Sequence, residues 1–193
     1  MNPVSSLRKI RMRNLALLVL LSLLAACSSA PQQNRATSQA SYKGADYASD
    51  LESSLKEAEQ DADETGRKIL MTGREMTIDK HEVVKGSCWD YCNAVYYRSG
   101  FPNNKTSRVT VFKGSKDNGP YADAKLIKPG DWLYYVNHSY GNIEHSAIFV
   151  RWIDFAARSA LMLSYGGEKR SDPARYLAYD LSSVYQIIRP AMQ

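Results

Sequence analysis

Cysteine is scarce in this chain, at three in 193 residues: Cys27, Cys88 and Cys92. So few exclude a small scaffold stapled by disulfides. No second cysteine pair exists, and His81, His138 and His145 lack ligand spacing, which argues against a zinc site. Long apolar runs are missing too. Leu15 to Leu24 is only ten residues, whereas a membrane-crossing helix needs roughly 20. With 11 Gly and 7 Pro, the chain is neither collagen-like nor of low complexity. It holds no internal repeat. Acidic residues are absent from 1–26, where Arg8, Lys9, Arg11 and Arg13 stand. Four of the five formal positive charges therefore reside in that segment, because 21 basic and 20 acidic residues, a balance of +1, remain beyond it. A basic surface for nucleic acid is excluded on that count. No segment calls for a cofactor.

What is present begins with an export pattern. A basic stretch over 1–14, the apolar run and then Leu24-Ala25-Ala26-Cys27 predict a signal peptide over 1–26. Small residues ahead of Cys27 resemble the bacterial lipobox. That resemblance implies cleavage before Cys27, diacylation of its sulfur and anchoring in a membrane by acyl chains. Ser28, in place of Asp, implies the outer membrane, facing the periplasm. Residues 27–43 are rich in Ser, Gln and Ala and cannot bury enough surface to fold, so they predict a lipidated tether.

Tyr47, Leu51, Leu55, Ala58, Ala62 and Ile69 recur at helical spacing between acidic residues. They predict an amphipathic helix over 44–70, packed on the domain or serving an envelope protein partner. Residues 71–87 are mixed. Residues 88–99 predict a helix ended by Gly100 and Pro102. Residues 103–125 read mostly as loop. Strands are expected at 132–136, 146–153, 160–165 and 184–188, with a hairpin connection over 137–142. A helix followed by an antiparallel meander makes the fold class α+β.

Cys88 stands where its helix begins. The positive end of the macrodipole and unpaired backbone N–H groups there favour a thiolate. Cys92, one turn further, reads as a small buried hydrophobe. Four residues apart on one helix, the two are poorly placed to bridge. His145 precedes an apolar and therefore central strand, and is the best candidate base. His138 falls in the hairpin turn and His81 in a charged stretch, so both read as exposed. Tyr91, Tyr96, Tyr97, Tyr134, Tyr135 and Tyr140 gather around these segments, as core packing or as a stacking groove.

Gly86-Ser87-Cys88, with Gly100 twelve residues after the cysteine, resembles the catalytic segment of NlpC/P60 cysteine peptidases. Leu126-Ile-Lys-Pro-Gly-Asp131 resembles the entry to that family's first core strand, His145-Ser-Ala-Ile-Phe-Val150 its histidine strand, and Tyr185 to Pro190 its closing strand. The resemblance covers about residues 80–190 and leaves the 44–70 helix unexplained. It implies a papain-like domain over 71–193, with the catalytic helix packed on an antiparallel sheet of about 4–6 strands. Cys88 would be the nucleophile, His145 the base and Ser164 the residue orienting His145. The implied substrate is a peptide or amide bond in the stem peptides of peptidoglycan. The chain departs from the family pattern at Trp89, beside the nucleophile, and at Ser164, where a stronger orienter is usual. The Gly-Ser-Cys start also resembles CHAP amidases. Three readings stay open: a cell-wall endopeptidase, a CHAP-type amidase or acyltransferase, and a non-catalytic envelope-assembly or wall-binding lipoprotein.

Overall fold

The computed structural model describes residues 45–165 and 172–191. Cys27, the signal peptide and the tether lie outside the described residues. The architecture is α+β: helices come first, followed by a six-stranded antiparallel sheet. No helix among the described residues is long and apolar enough to cross a membrane.

The stretch expected to be one helix over 44–70 is two, α1 (Ala45–Asp61) and α2 (Glu64–Arg74). Leu55, Ala58 and Ala62 form the buried stripe of the first, with Leu51 packed beside them. The break has a local cause. Asp63 is extended, and its carboxylate accepts from Gly66 N at 2.8 Å and Thr65 Oγ1 at 2.9 Å, so it caps a new helix. Arg67 then turns back, donating to Glu59 O at 2.7 Å and Ala62 O at 3.2 Å, which satisfies carbonyls at the end of α1. A π-turn over Glu75–Asp79 prolongs α2 into the segment read as mixed and buries Met76 and Thr77. The third helix, α3, spans Cys88–Arg98, and Gly100, at φ +91°, ends it.

The strands are β1 (Arg108–Lys113), β2 (Trp132–Asn137), β3 (Ile143–Asp154), β4 (Ser159–Ser164), β5 (Arg175–Asp180) and β6 (Val184–Pro190). Their order in the sheet is β1-β6-β2-β3-β4-β5. The loop expected over 103–125 therefore holds a strand. Both strands that the sequence pattern missed, β1 and β5, are sheet edges. An edge strand is covered on fewer sides, and Val109 is 43% exposed, so no clean apolar alternation marks it.

One face of the sheet carries α3. Tyr91, Cys92, Val95 and Tyr96 pack with Trp132, Ile148, Val150 and Leu163. The other face holds Leu133, Tyr135, Ala147, Phe149, Met162 and Ile187. That second face is concave. Three strand spacings of roughly 4.8 Å separate β2 from β5, yet the rings of Tyr135 and Tyr179 lie 5.7 Å apart.

The entry to β2 is pinned to the helices. Gly130 has φ +89°, and a methyl group there would come within 2.5 Å of Gly66 Cα; one on Gly66 would come within 2.3 Å of Pro129 O. Asp131 accepts from Lys128 N at 2.8 Å and from Arg189 Nε and Nη2 at 2.8 and 2.7 Å, joining β2 to β6. We expect Gly130→Ala to lose ~2–4 kcal/mol from overpacking and a strained backbone, measured as a lower urea midpoint with unchanged slope. Unaltered stability would show that the two segments do not touch.

Candidate functional site

The first turn of α3 is built from local chemistry. Asp90 accepts from Ser87 N at 2.6 Å and Ser87 Oγ at 2.8 Å, one half of a capping box. Gly86, at φ +128°, is forced: a Cβ there would sit 2.3 Å from Asp90 Oδ2. Gly86-Ser87 thus reads physically as the bend that lets Asp90 close over the helix start and holds Cys88 at its first position. Cys88 is half-buried and Cys92 fully buried, and both are free thiols. Burial pushes the Cys92 thiol well up, which suits an inert core group.

Helix α3 runs in the same direction as β3. Cys92 lies near Ser146, though not in hydrogen-bonding geometry with its hydroxyl. One turn on, the ring of Tyr96 lies 5.6 Å from that of Trp132, whose partner on β3 is Ile148. Four helical residues rise ~6 Å and two strand residues ~6.7 Å, so the two elements keep step. One turn back, Cys88 comes level with Glu144 and His145. Its charge bears on Tyr134, Tyr135 and Tyr185, as that placement requires.

His145 is the third residue of β3 and pairs with Tyr135 on β2. Its Nε2 and Ser164 Oγ are 2.7 Å apart, and Ser164 is fully buried. The ring lies between two tyrosines, with centroids 5.5 Å from Tyr135 and 5.6 Å from Tyr179. Burial lowers the His145 pKa to about 4, so the imidazole is neutral at physiological pH. A neutral imidazole is the form that accepts a proton.

The structure thus brings His145 and Ser164 together and lays Cys88 at the same level along β3. It does not join all three. Tyr135, His145 and Ala147 share the concave face, whereas Trp132, Tyr134, Ser146 and Ile148 face α3. Among the described residues no hydrogen bond links Cys88 to His145. Among the described residues the pairing of β3 with β4 begins at Ile148, and the strand start that bears His145 is paired to β2.

Around this centre sit Trp89, Tyr134 and Tyr135, which the sequence already marked, and Trp132, Glu144 and Ser146, to which it gave no role. Trp89 is 38% exposed, with its ring 5.7 Å from Trp132. Trp132 in turn stacks on Tyr134 at 5.5 Å, and Tyr134 meets Tyr185 at 6.3 Å. Tyr135 Oη, Ser146 Oγ, Tyr185 Oη and Trp132 Nε1 are buried without a hydrogen-bond partner among the described residues. Glu144 lies near enough to raise Tyr185, yet not in hydrogen-bonding geometry. Of the six tyrosines noted near the motifs, Tyr91, Tyr96 and Tyr135 are core, Tyr134 is half-buried, and Tyr97 and Tyr140 are exposed. His81 and His138 are exposed at the surface. Among the described residues no three His, Cys, Asp or Glu side chains gather as a metal site.

Because the folded protein keeps His145 neutral down to about pH 4, while an unfolded histidine takes a proton near 6.5, the unfolded chain binds more protons between those values. Stability should therefore fall as pH drops from ~6.5 towards 4. Histidine NMR should show His145 neutral at pH 5.5. Denaturant titrations at pH 7 and 5 should differ less in His145→Gln than in the wild type. An imidazole already charged at pH 5.5 contradicts the burial argument.

No family model, no curated protein and no solved structure matches this chain.

Proposed function

We propose that the protein is a cysteine hydrolase of the bacterial cell wall, papain-like in fold and related to the NlpC/P60 peptidases. On this reading it is anchored through Cys27 in the outer membrane and cleaves peptide or amide bonds in peptidoglycan stem peptides. The observation that carries the reading is the 2.7 Å contact of His145 Nε2 with Ser164 Oγ on adjacent strands, level with the start of α3 at Cys88 on the other face of β3. A residue that holds the far nitrogen of an imidazole leaves Nδ1 for work, which is how a base beside a nucleophile is oriented. The export pattern and the order Cys, His, polar residue along the chain support it as well.

In the proposed reaction, His145 Nδ1 takes the Cys88 thiol proton as sulfur attacks the carbonyl carbon. The backbone N–H of Cys88, at the helix start, helps to stabilise the oxyanion. His145 then gives the proton to the departing amine. Water, deprotonated by the same nitrogen, hydrolyses the thioester and frees the thiol. Catalytic hydrogen bonds are often long before substrate binds, and this scheme requires Cys88 and His145 to close on one another in the complex.

A second reading is a non-catalytic envelope-assembly or wall-binding lipoprotein. The observation that favours it is the separation of Cys88 and His145 on the two faces of β3, with Trp89 beside the thiol.

Digestion of purified muropeptides by the mature domain, with products identified by mass, separates the two. The hydrolase predicts cleavage that Cys88→Ala abolishes, that His145→Ala cuts by ~10²–10⁴, and that Ser164→Ala reduces less, all with the far-UV CD of the wild type. An active Cys88→Ala protein would dismiss Cys88 as the nucleophile. A wild-type domain that binds muropeptides and cleaves none would establish the second reading.

A further inference from the structure

Serine alone holds an imidazole weakly, because its hydroxyl turns freely and carries no charge. Here it is not alone. Ser164 Oγ lies 2.7 Å from His145 Nε2 and 3.1 Å from Tyr179 Oη, so one chain of hydrogen bonds crosses β3, β4 and β5. Tyr179 also contacts the imidazole directly, its ring 5.6 Å from that of His145 and tilted by 42°. Tyr135 completes the enclosure from β2, at 5.5 Å and 77° to the imidazole and 5.7 Å from Tyr179. Three rings from three strands therefore touch one another, and the curl of the sheet is what brings them together.

We propose that Tyr179 is a positioning residue for His145, acting through Ser164 and through ring contact. It sets the imidazole in the Nε2–H tautomer. The order of donors follows. His145 Nε2–H donates to Ser164 Oγ, and the Ser164 hydroxyl donates to Tyr179 Oη. No proton is left for Nδ1, which keeps its lone pair. In the reverse order Ser164 would donate to Nε2, and Nδ1 would carry the hydrogen and lose its basicity. Either hydroxyl can be the donor in its contact, so the chain has two directions; with Tyr179 Oη as the acceptor, Ser164 donates outward and is left to accept inward from Nε2–H. The cooperative polarisation of such a chain strengthens each bond in it. This inference rests on the hydrolase reading only for its purpose; the tautomer is a property of the free protein.

Nitrogen NMR of ¹⁵N-histidine-labelled protein, without substrate, tests it. Expected for the wild type is a protonated Nε2 and a bare Nδ1 on His145. Tyr179→Phe keeps the ring and removes the hydroxyl. It should mix the tautomers and speed exchange of the imidazole hydrogen about tenfold, the loss of roughly one hydrogen bond. Ser164→Ala should do the same, and the double variant should add nothing further. Fluorotyrosine at position 179 keeps the shape and changes only the acidity of the hydroxyl, so it should move the Nε2 signal even where Tyr179→Phe unfolds. A wild-type Nδ1–H tautomer, an unmoved signal in Tyr179→Phe and fluorotyrosine protein, or additive effects would each overturn the proposal. A purely structural role would lower the melting temperature and leave the nitrogen signals in place. Failure to cleave muropeptides would remove the hydrolase reading and leave the tautomer result standing.

Discussion

Tyr96 is fully buried, and its hydroxyl reaches two backbone carbonyls at once, Gly130 O at 2.7 Å and Ile188 O at 3.1 Å. A buried phenol without a partner would cost ~1–3 kcal/mol, so this side chain cannot shift without a large loss. It ties α3 to the entry of β2 and to β6 in one step. The guanidinium of Arg108 closes the arrangement from β1, over the Tyr96 ring at 5.2 Å and bonded to Asn93 Oδ1 and Phe101 O, both at 2.8 Å. The height of α3 on the sheet follows, and with it the level of Cys88 along β3. A group about two turns from Cys88 thereby decides where that residue stands.

The same burial that stabilises the sheet prepares the imidazole. A histidine among Tyr135, Ser164 and Tyr179 loses most of its hydration, which disfavours its charged form, so the imidazole stays neutral and is a weaker base than a free histidine. Among the described residues no carboxylate stands against it to restore the charge, and burial is the cause of its shift. A serine beside Nε2 fits that setting, because a carboxylate there would raise the imidazole again. The site therefore favours a free base over a standing ion pair with the thiol. The hydroxyls of Tyr135, Ser146 and Tyr185 nearby, without a hydrogen-bond partner among the described residues, mark a region rich in hydrogen-bonding capacity.

The clearest local signals in the sequence were those with short-range causes. The 4–3–4 stripe of Leu51, Leu55, Ala58 and Ala62 marks a helix face. Gly100, at φ +91°, ends α3, and the runs 132–136 and 146–153 fall within β2 and β3. The pairing of His145 with Ser164 was approached only through resemblance to a family strand. Nothing in either residue's neighbourhood points to the other. The break at Asp63 was legible in principle, as an acidic residue three places before Gly66, but the continuing apolar period masked it. Trp89 and Tyr134 carried no periodic signal that would separate a groove wall from core.

The sequence by itself determined the helix that begins at Cys88, a helical stretch ahead of it and four of the six strands. It also placed Cys88 at the start of a helix and His145 near the start of an apolar strand. Period, caps and turn residues act within a few positions, and so they are written locally. Only the tertiary structure decided the order of the strands, the edge positions of β1 and β5, the face each side chain takes, and the meeting of residues 135, 145, 164 and 179. Those outcomes depend on register and on the curl of the sheet, which arise when distant segments bury one another and leave no mark on the residues before they meet.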